Sequence, residues 1–342
     1  MKAKAQPQVA TLYVGVDIAK DDFAAATVWA EQTKSLGKEE NTEAGCETFA
    51  SRIAARQQAC GAEQVHLVVE PTGGFEAELV ARAYRCGWRV TVVNLGVVRK
   101  WAQGQGRRAK TDRLDARVLA EYGAKEHPEP QQELPEEIAE LDSLLGRKLD
   151  LDKLLQSERN RYGRLNRHTA PAVRRSLEQV IAALEQELAT IEAAIKQLQH
   201  AQPTIKQQLA FLLSVPGIGE KIAPLLLVQL HRFWARTNGR GTAKQLVAYL
   251  GLDPVPYESG TSVRHRATIS RQGNSLLRSK LFLGALGGVG GKNQLRLFYH
   301  SLLARSKPKK VALIACARKA LTWAWAVFAH NTYFDPTLAA KA

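Results

Sequence analysis

Val65-His-Leu-Val-Val-Glu70 is the stretch that leaves this chain the fewest ways to fold. A continuous apolar run stopped by an acid, then broken by Pro71-Thr-Gly-Gly74, reads as a buried central strand. Tyr13-Val-Gly-Val-Asp17 repeats the plan. An unpaired carboxylate at the edge of a core is costly to desolvate, so a strand rarely ends in an acid without reason. Lys110-Thr-Asp112-Arg-Leu-Asp115 adds two acids three residues apart, on one face of a predicted helix. Four carboxylates converging on one point repel each other, and a bound cation or protonation is needed to hold them there. The set predicts a Mg²⁺ site for phosphoryl chemistry, with Asp17, Glu70, Asp112 and Asp115 as ligands to one ion or to a pair.

Singly, each acid has an ordinary reading. Asp17 can cap the next segment, Glu70 can begin a turn, and Asp112 and Asp115 can favour a helix start or pair with Arg113 and Arg117. The order of the set, strand–Asp, strand–Glu, then D-x-x-D, is what favours the metal site.

Around these acids the first segment alternates strand and helix signals. Strands are expected at Leu12–Asp17, Phe23–Trp29, near Leu36–Asn41, at Val65–Glu70 and at Trp88–Val93. Helices are expected from about Ala44 to Gln58, over Glu76–Cys86, and from Asp112 to Tyr122 with Thr111 as cap. This predicts a mixed sheet flanked by helices over residues 1–130. From Leu134 the pattern turns helical. Leu177, Ile181, Leu184, Leu188, Ile191, Ile195 and Leu198 recur at alternating four- and three-residue steps, a coiled-coil seam. With Pro171 as the break, residues 131–204 predict a helical hairpin, either packed only on itself or serving as an oligomer contact. A third, mainly α-helical domain is expected over 205–342.

The net charge of +15 is unevenly placed. Residues 201–342 hold 20 Lys and Arg against 4 Asp and Glu, whereas the preceding 200 residues nearly balance. Such an excess on one segment marks a polyanion binder. Four dispersed cysteines form no CxxC pair, which suits a reducing cytoplasm and provides no zinc site. Met1–Pro7 lacks the apolar stretch of a signal peptide, and Val311–Ala329 is interrupted by Arg318-Lys319, so a packed helix is expected there and no membrane span.

Within the basic segment, Ser214-Val-Pro-Gly217-Ile-Gly219 between two apolar stretches reads as a helix-hairpin-helix turn, where glycines let backbone N–H groups approach a phosphate. Its bland reading is a tight turn between core helices, and Pro224 is expected to make the second helix irregular. Gly217, Gly219 and Lys221 are the nucleic-acid candidates of this turn. Tyr257-Glu-Ser259-Gly260 is expected in a polar loop beside Arg264 and Arg266. A serine hydroxyl needs a base or metal to become a nucleophile, and nearby arginines can hold a phosphate. On chemistry alone Ser259, Thr261 and Ser262 are equivalent. Arg271, Arg278 and Lys280 add a basic helix start suited to phosphate contact. Leu286-Gly-Gly-Val-Gly-Gly-Lys292-Asn293 fails as a P-loop, lacking the first glycine, the Ser/Thr and a preceding strand, and is expected to be a flexible helix break.

Together these stretches resemble one family over nearly the whole chain: the DEDD transposases of bacterial insertion sequences (the IS-one-ten group), related to Piv-type DNA invertases. The resemblance is carried by Tyr13-Val-Gly-Val-Asp17-Ile-Ala-Lys20, Glu70-Pro-Thr-Gly73, Lys110-Thr-Asp112-Arg-Leu-Asp115-Ala-Arg117, Pro216-Gly-Ile-Gly219, Tyr257-Glu-Ser259-Gly260 and Arg318-Lys319. It implies a RuvC-like (RNase H-type) first domain with Asp17, Glu70, Asp112 and Asp115 as the Mg²⁺ tetrad. It also implies Ser259 as a nucleophile forming a phosphoserine link to DNA, a homo-oligomer (dimer or tetramer) that pools tetrad and serine from different subunits, and guidance by a structured RNA. A bacterial cytoplasmic, nucleoid-associated protein is then expected. Pro71, Asp253 and the glycine cluster at 287–291 depart from the pattern of the family. Two other functions fit the residues: a RuvC-like metal-dependent junction nuclease using water as nucleophile, and a catalytically silent nucleic-acid-binding module.

Overall fold

The structure is a computed structural model that describes residues 9–71, 73–106, 112–259 and 263–339. The chain forms two compact units, Met1–Glu133 and Leu134–Ala342.

The first unit runs β1 (Thr11–Ile18), β2 (Asp22–Trp29), β3 (Gln32–Glu40), α1 (Glu43–Cys60), β4 (Gln64–Val69), α2 (Ala77–Arg85), β5 (Arg89–Val92), α3 (Leu95–Gly104) and α4 (Asp112–Glu126). The sheet order is β3-β2-β1-β4-β5. β1–β2 and β2–β3 are antiparallel, while β1–β4 and β4–β5 are parallel. The expected mixed sheet with flanking helices is present.

Side-chain alternation sends the two faces of this sheet to different helices. Leu12, Val14, Val16, Leu67 and Val69 pack with Phe49 and Ile53 of α1 and Leu79 and Ala83 of α2. Each large side chain buried there contributes about 1.5–3 kcal/mol. The opposite face holds Ala24, Ala26 and Val28 against Ala116 and Ala120 of α4, and Val68 against Val98, Val118 and Leu119. Small residues meet where α4 crosses β1. A Cβ on Gly15 would collide with the Ala116 carbonyl and the Ala120 amide, and one on Gly123 would lie 2.8 Å from Val68 Cγ2.

Two elements differ from expectation. β3 begins at Gln32, several residues before the expected strand, because Ala30 and Glu31 both adopt positive φ (46° and 65°) in a two-residue hairpin turn without the usual Asn-Gly signal. α3 was not expected at all. Asn94 caps it, accepting from the Gly96 amide at 2.9 Å, and Val98 anchors it.

The second unit opens with α5 (Glu136–Tyr162) and α6 (Pro171–Ala201). They are antiparallel, since Lys148 pairs with Glu192 at 2.8 Å, Arg159 with Glu185 at 2.7 Å, and the Tyr162 hydroxyl donates to Glu178 at 3.0 Å. Ile195 and Leu198 at the end of the α6 seam are buried, as are Leu141, Leu145, Leu151 and Leu155 of α5. The chain continues through α7 (Pro203–Leu213), α8 (Ala223–Arg236), α9 (Ala243–Tyr249), β6 (Pro254–Ser259), β7 (Val263–Ile269), α10 (Ser275–Gly288), α11 (Gln294–Ala304) and α12 (Lys309–His330).

α12 is the one helix among the described residues long and apolar enough to cross a membrane. It lies in the core of this unit, with Trp323, Trp325 and Phe328 all buried, the packed helix expected over Val311–Ala329. Pro224 does not disturb α8: it stands in the first turn, where no helical partner for its missing N–H exists. The polar loop expected around Ser259 is instead a β-hairpin, with Val255 opposite Thr268, Tyr257 opposite His265 and Ser259 opposite Val263. The two prolines of β6 are tolerable because the sheet has only two strands, both edges. The glycine-rich stretch does break the helix, between Gly288 and Gln294. α10 runs through Gly287 and Gly288, and Asn293 caps α11 by accepting from the Arg296 amide at 3.1 Å.

Candidate active site

β1 and β4 are neighbouring parallel strands whose pairing ends at Val16 with Val69. One residue further along each chain stand Asp17 and Glu70, side by side at the carboxyl ends of the strands. Alternation places both on the α4 face, away from Val16 and Val69. α4 carries Asp115 on the turn that also presses Ala116 against Gly15. As a result Asp17, Glu70 and Asp115 line one cavity of about 250 Å³, together with Asp22 and Arg99. The side chain of Asp112 lies outside the described residues.

The loops around this cavity are tied together. Asn41 Nδ2 donates to the Ala19 carbonyl and to the Phe75 carbonyl, both at 3.0 Å. It therefore links the turn after Asp17 to the loop after Glu70. The Ala19 amide donates to the Asp22 carbonyl at 2.8 Å, closing the turn into β2. Asp22 also takes Lys38 Nζ at 3.1 Å.

Carboxylates are hard oxygen donors of the kind that Mg²⁺ takes. Among the described residues no three Asp, Glu, His or Cys side chains close onto one point, and Asp112 is not among those compared. A metal held here would draw its oxygen donors from among Asp17, Glu70 and Asp115.

The sequence did not single out Asp22 or Arg99. Asp22 follows Lys20-Asp21 in a turn that looks merely polar. Arg99 lies on α3, and the capping Asn94 was the signal that could have revealed that helix.

The basic candidates lie in the second unit. Gly217, with φ of 89°, is packed against α10: a Cβ on Gly284 would strike the Gly217 carbonyl, and a Cβ on Gly288 would lie 2.9 Å from Gly217 Cα. Nothing stands near a Cβ built on Gly219, which is exposed in the turn before α8. Lys221 and Lys280 line one cleft of about 640 Å³ with Lys148 and Lys196. Lys148 is engaged there with Asp152 at 3.2 Å and Glu192 at 2.8 Å. Arg271 is exposed and has φ of 58°, its amide donating to the Gly251 carbonyl at 3.2 Å. Arg278 Nη1 donates to the Leu250 carbonyl at 3.2 Å and to the Gln272 carbonyl, so it holds the chain between α9 and α10. The side chains of Ser259, Arg264 and Arg266, and all of residues 260–262, lie outside the described residues.

Residues 14–171 match a family described as a transposase of the DEDD type, and residues 209–300 match the transposase IS116/IS110/IS902 family. A pilin gene-inverting protein of Moraxella bovis is 31% identical over 324 residues, covering 94% of this chain and 97% of that protein. The chain belongs to the DEDD transposase family of bacterial insertion elements. An insertion element IS110 protein of Streptomyces coelicolor is 31% identical over 169 residues, 48% of this chain and 38% of its own length. A T. thermophilus RuvC chain, solved in complex with a Holliday junction substrate, aligns with 34% of this DEDD transposase and 96% of itself, at 12% identity and a TM-score of 0.26.

Proposed function

We propose that this DEDD transposase cuts and rejoins DNA strands, using Asp17, Glu70, Asp112 and Asp115 as a divalent-cation site and Ser259 as the nucleophile. The observation that carries the reading is the shared cavity of Asp17, Glu70 and Asp115, acids drawn from three segments far apart in sequence. A bound Mg²⁺ would offset their charge and polarise a phosphoryl oxygen. The protein's own part is to fix the acids. The parallel register of β1 and β4 sets Asp17 beside Glu70, and the close crossing of α4 over Gly15 brings Asp115 to them.

Attack by the Ser259 Oγ on a phosphodiester forms a P–O bond to the serine as the sugar oxygen leaves. The hydroxyl proton is lost and the departing oxygen gains one. The phosphoserine link keeps the bond energy of the phosphodiester, so a sugar hydroxyl can later attack the same phosphorus and release Ser259. The basic second unit, with Gly219, Lys221, Arg264, Arg266, Arg271 and Lys280, holds nucleic acid backbone. DNA, a structured guide RNA and further copies of this chain are the partners this reading requires, in the cytoplasm beside the chromosome.

The near full-length Moraxella relative is named for gene inversion. Inversion needs rejoining as well as cutting, which favours a recombinase over a nuclease using water. The test is to quench the full-length protein with denaturant during reaction on DNA carrying the flanks of its own gene. A covalent protein–DNA adduct is expected, absent in Ser259→Ala, while both Ser259→Ala and Asp17→Ala still bind nucleic acid. Strand exchange by Ser259→Ala at the normal rate overturns the serine mechanism.

A further inference from the structure

We infer that Arg99 grips a nucleic-acid phosphate at the acid cavity. The inference rests on reading that cavity as the DNA-processing centre. Asp17, Glu70 and Asp115 make its wall anionic, and a phosphodiester is an anion, so approach is opposed unless cations stand in the same space. Among the described residues that line the cavity, Arg99 is the cationic side chain, reaching it from α3.

α3 is held firmly enough to present a side chain in one place. Val98, next to Arg99, is 3% exposed and packs with Val68, Val118 and Leu119. Trp101 Nε1 donates to Glu126 at 2.8 Å, and the Trp101 ring meets Tyr122 edge-on at 5.5 Å. Both partners of Trp101 lie on α4, the helix that carries Asp115. The cation and the acid thus ride on two helices clamped to each other. A guanidinium stays charged at any working pH, and its planar fork matches two phosphate oxygens at once. Lysine would supply the charge without the fork.

The competing role is a counter-ion that only neutralises the carboxylates until a metal displaces it. The two roles separate in full-length Arg99→Gln and Arg99→Lys proteins. Three quantities are read: the slope of log affinity against log NaCl for a fluorescent DNA duplex, strand exchange on DNA with the gene's own flanks, and Mn²⁺ affinity without DNA. A phosphate grip predicts that Arg99→Gln makes the negative slope shallower by roughly 0.9. It also predicts at least a tenfold loss of strand exchange with Mn²⁺ affinity unchanged, while Arg99→Lys keeps the slope and exchanges strands more slowly than wild type. Tighter Mn²⁺ binding with an unchanged slope shows a counter-ion and overturns the proposal, as does normal exchange by Arg99→Gln. Asp17→Asn is run alongside. If it is inactive while Arg99→Gln is normal, the proposal for Arg99 fails and the cavity keeps its assignment. If Asp17→Asn exchanges strands normally, the assignment of the cavity fails, and that of Arg99 with it.

Discussion

Gly15 of β1 and Ala120 of α4 touch backbone to backbone, with no room for a methyl group between them. This crossing brings the helix of Asp115 to the strand of Asp17. A Cβ at position 15 must push α4 away from the sheet, because what it meets is main chain that cannot rotate aside. Overpacking of this sort costs about 1–3 kcal/mol. Gly15→Ala is therefore expected to lower the thermal midpoint and to reduce strand exchange by more than the lost stability explains, since Asp115 moves with α4. Calorimetry together with the exchange assay checks this. A variant with wild-type midpoint and rate would show that the crossing does not position the acids.

Asn41 makes a different kind of prediction. Its amide bridges the Ala19 and Phe75 carbonyls, one on each side of the cavity. Asn41→Ala removes these two hydrogen bonds and a longer one to the Lys20 carbonyl at 3.5 Å, each with a net worth of at most about 0.5–1.5 kcal/mol. A modest fall in stability is expected, with a larger fall in turnover and little change in DNA affinity, because the binding surface of the second unit is untouched. Titration of DNA binding and single-turnover rates separate the two effects.

Gly219 in the turn before α8 and Gly284 of α10, which packs on that turn, are expected to behave in opposite ways. Gly284→Ala drives a methyl into the Gly217 carbonyl and the Ile222 side chain, so it should destabilise the second unit. Gly219→Ala meets nothing and should leave stability within about 0.5 kcal/mol. If the turn meets a phosphate through its backbone, Gly219→Ala should still weaken nucleic-acid binding. Denaturant melts and a gel-shift titration on both variants check the contrast.

Acid should destabilise both units through two histidines, His66, which is buried, and His231, which is half-buried. His66 is 3% exposed, with Nε2 2.7 Å from Thr91 Oγ1, and burial, helped by the charges of Arg89 and His127, pushes its pKa down to about 4. His231, with Nε2 2.8 Å from Gln208 Oε1, is lowered to about 4, mainly by burial and against the pull of Glu137. In the unfolded chain both titrate near 6.5. Between those values the unfolded state binds protons that the folded state refuses, so stability is full at neutral pH and falls as the pH drops from about 6.5 to 4. The ceiling is about 3 kcal/mol per histidine. Thermal midpoints from pH 7 to 4.5 measure the loss, and His66→Asn should flatten the dependence for the first unit.

The strands that end in Asp17 and Glu70, the helix of Asp115, the long pair α5 and α6 and the buried α12 were all legible, because each is written in local periodicity. Apolar runs, a 3.5-residue repeat and prolines at breaks report on residues within a few turns of each other. The β6–β7 hairpin was not. Its strands are short, β6 carries two prolines, and the pairing depends on Val263–Ile269 folding back onto Pro254–Ser259. Nor was α3, which has little helical pattern of its own and is stabilised by Val98 and Trp101 meeting α4.

The order of residues alone determined which side chains could do chemistry here: acids at strand ends and on one helical turn, and a basic second half. Tertiary structure decided which of them meet. Gly15 looks like an ordinary small residue in a strand until α4, a hundred residues later, is laid across it. Arg99 looks like one surface cation among many until α3 turns it toward the acids' cavity. Local patterns are set by bonds along the chain, whereas such meetings are set by what packs between distant segments, and no short window of sequence contains both partners.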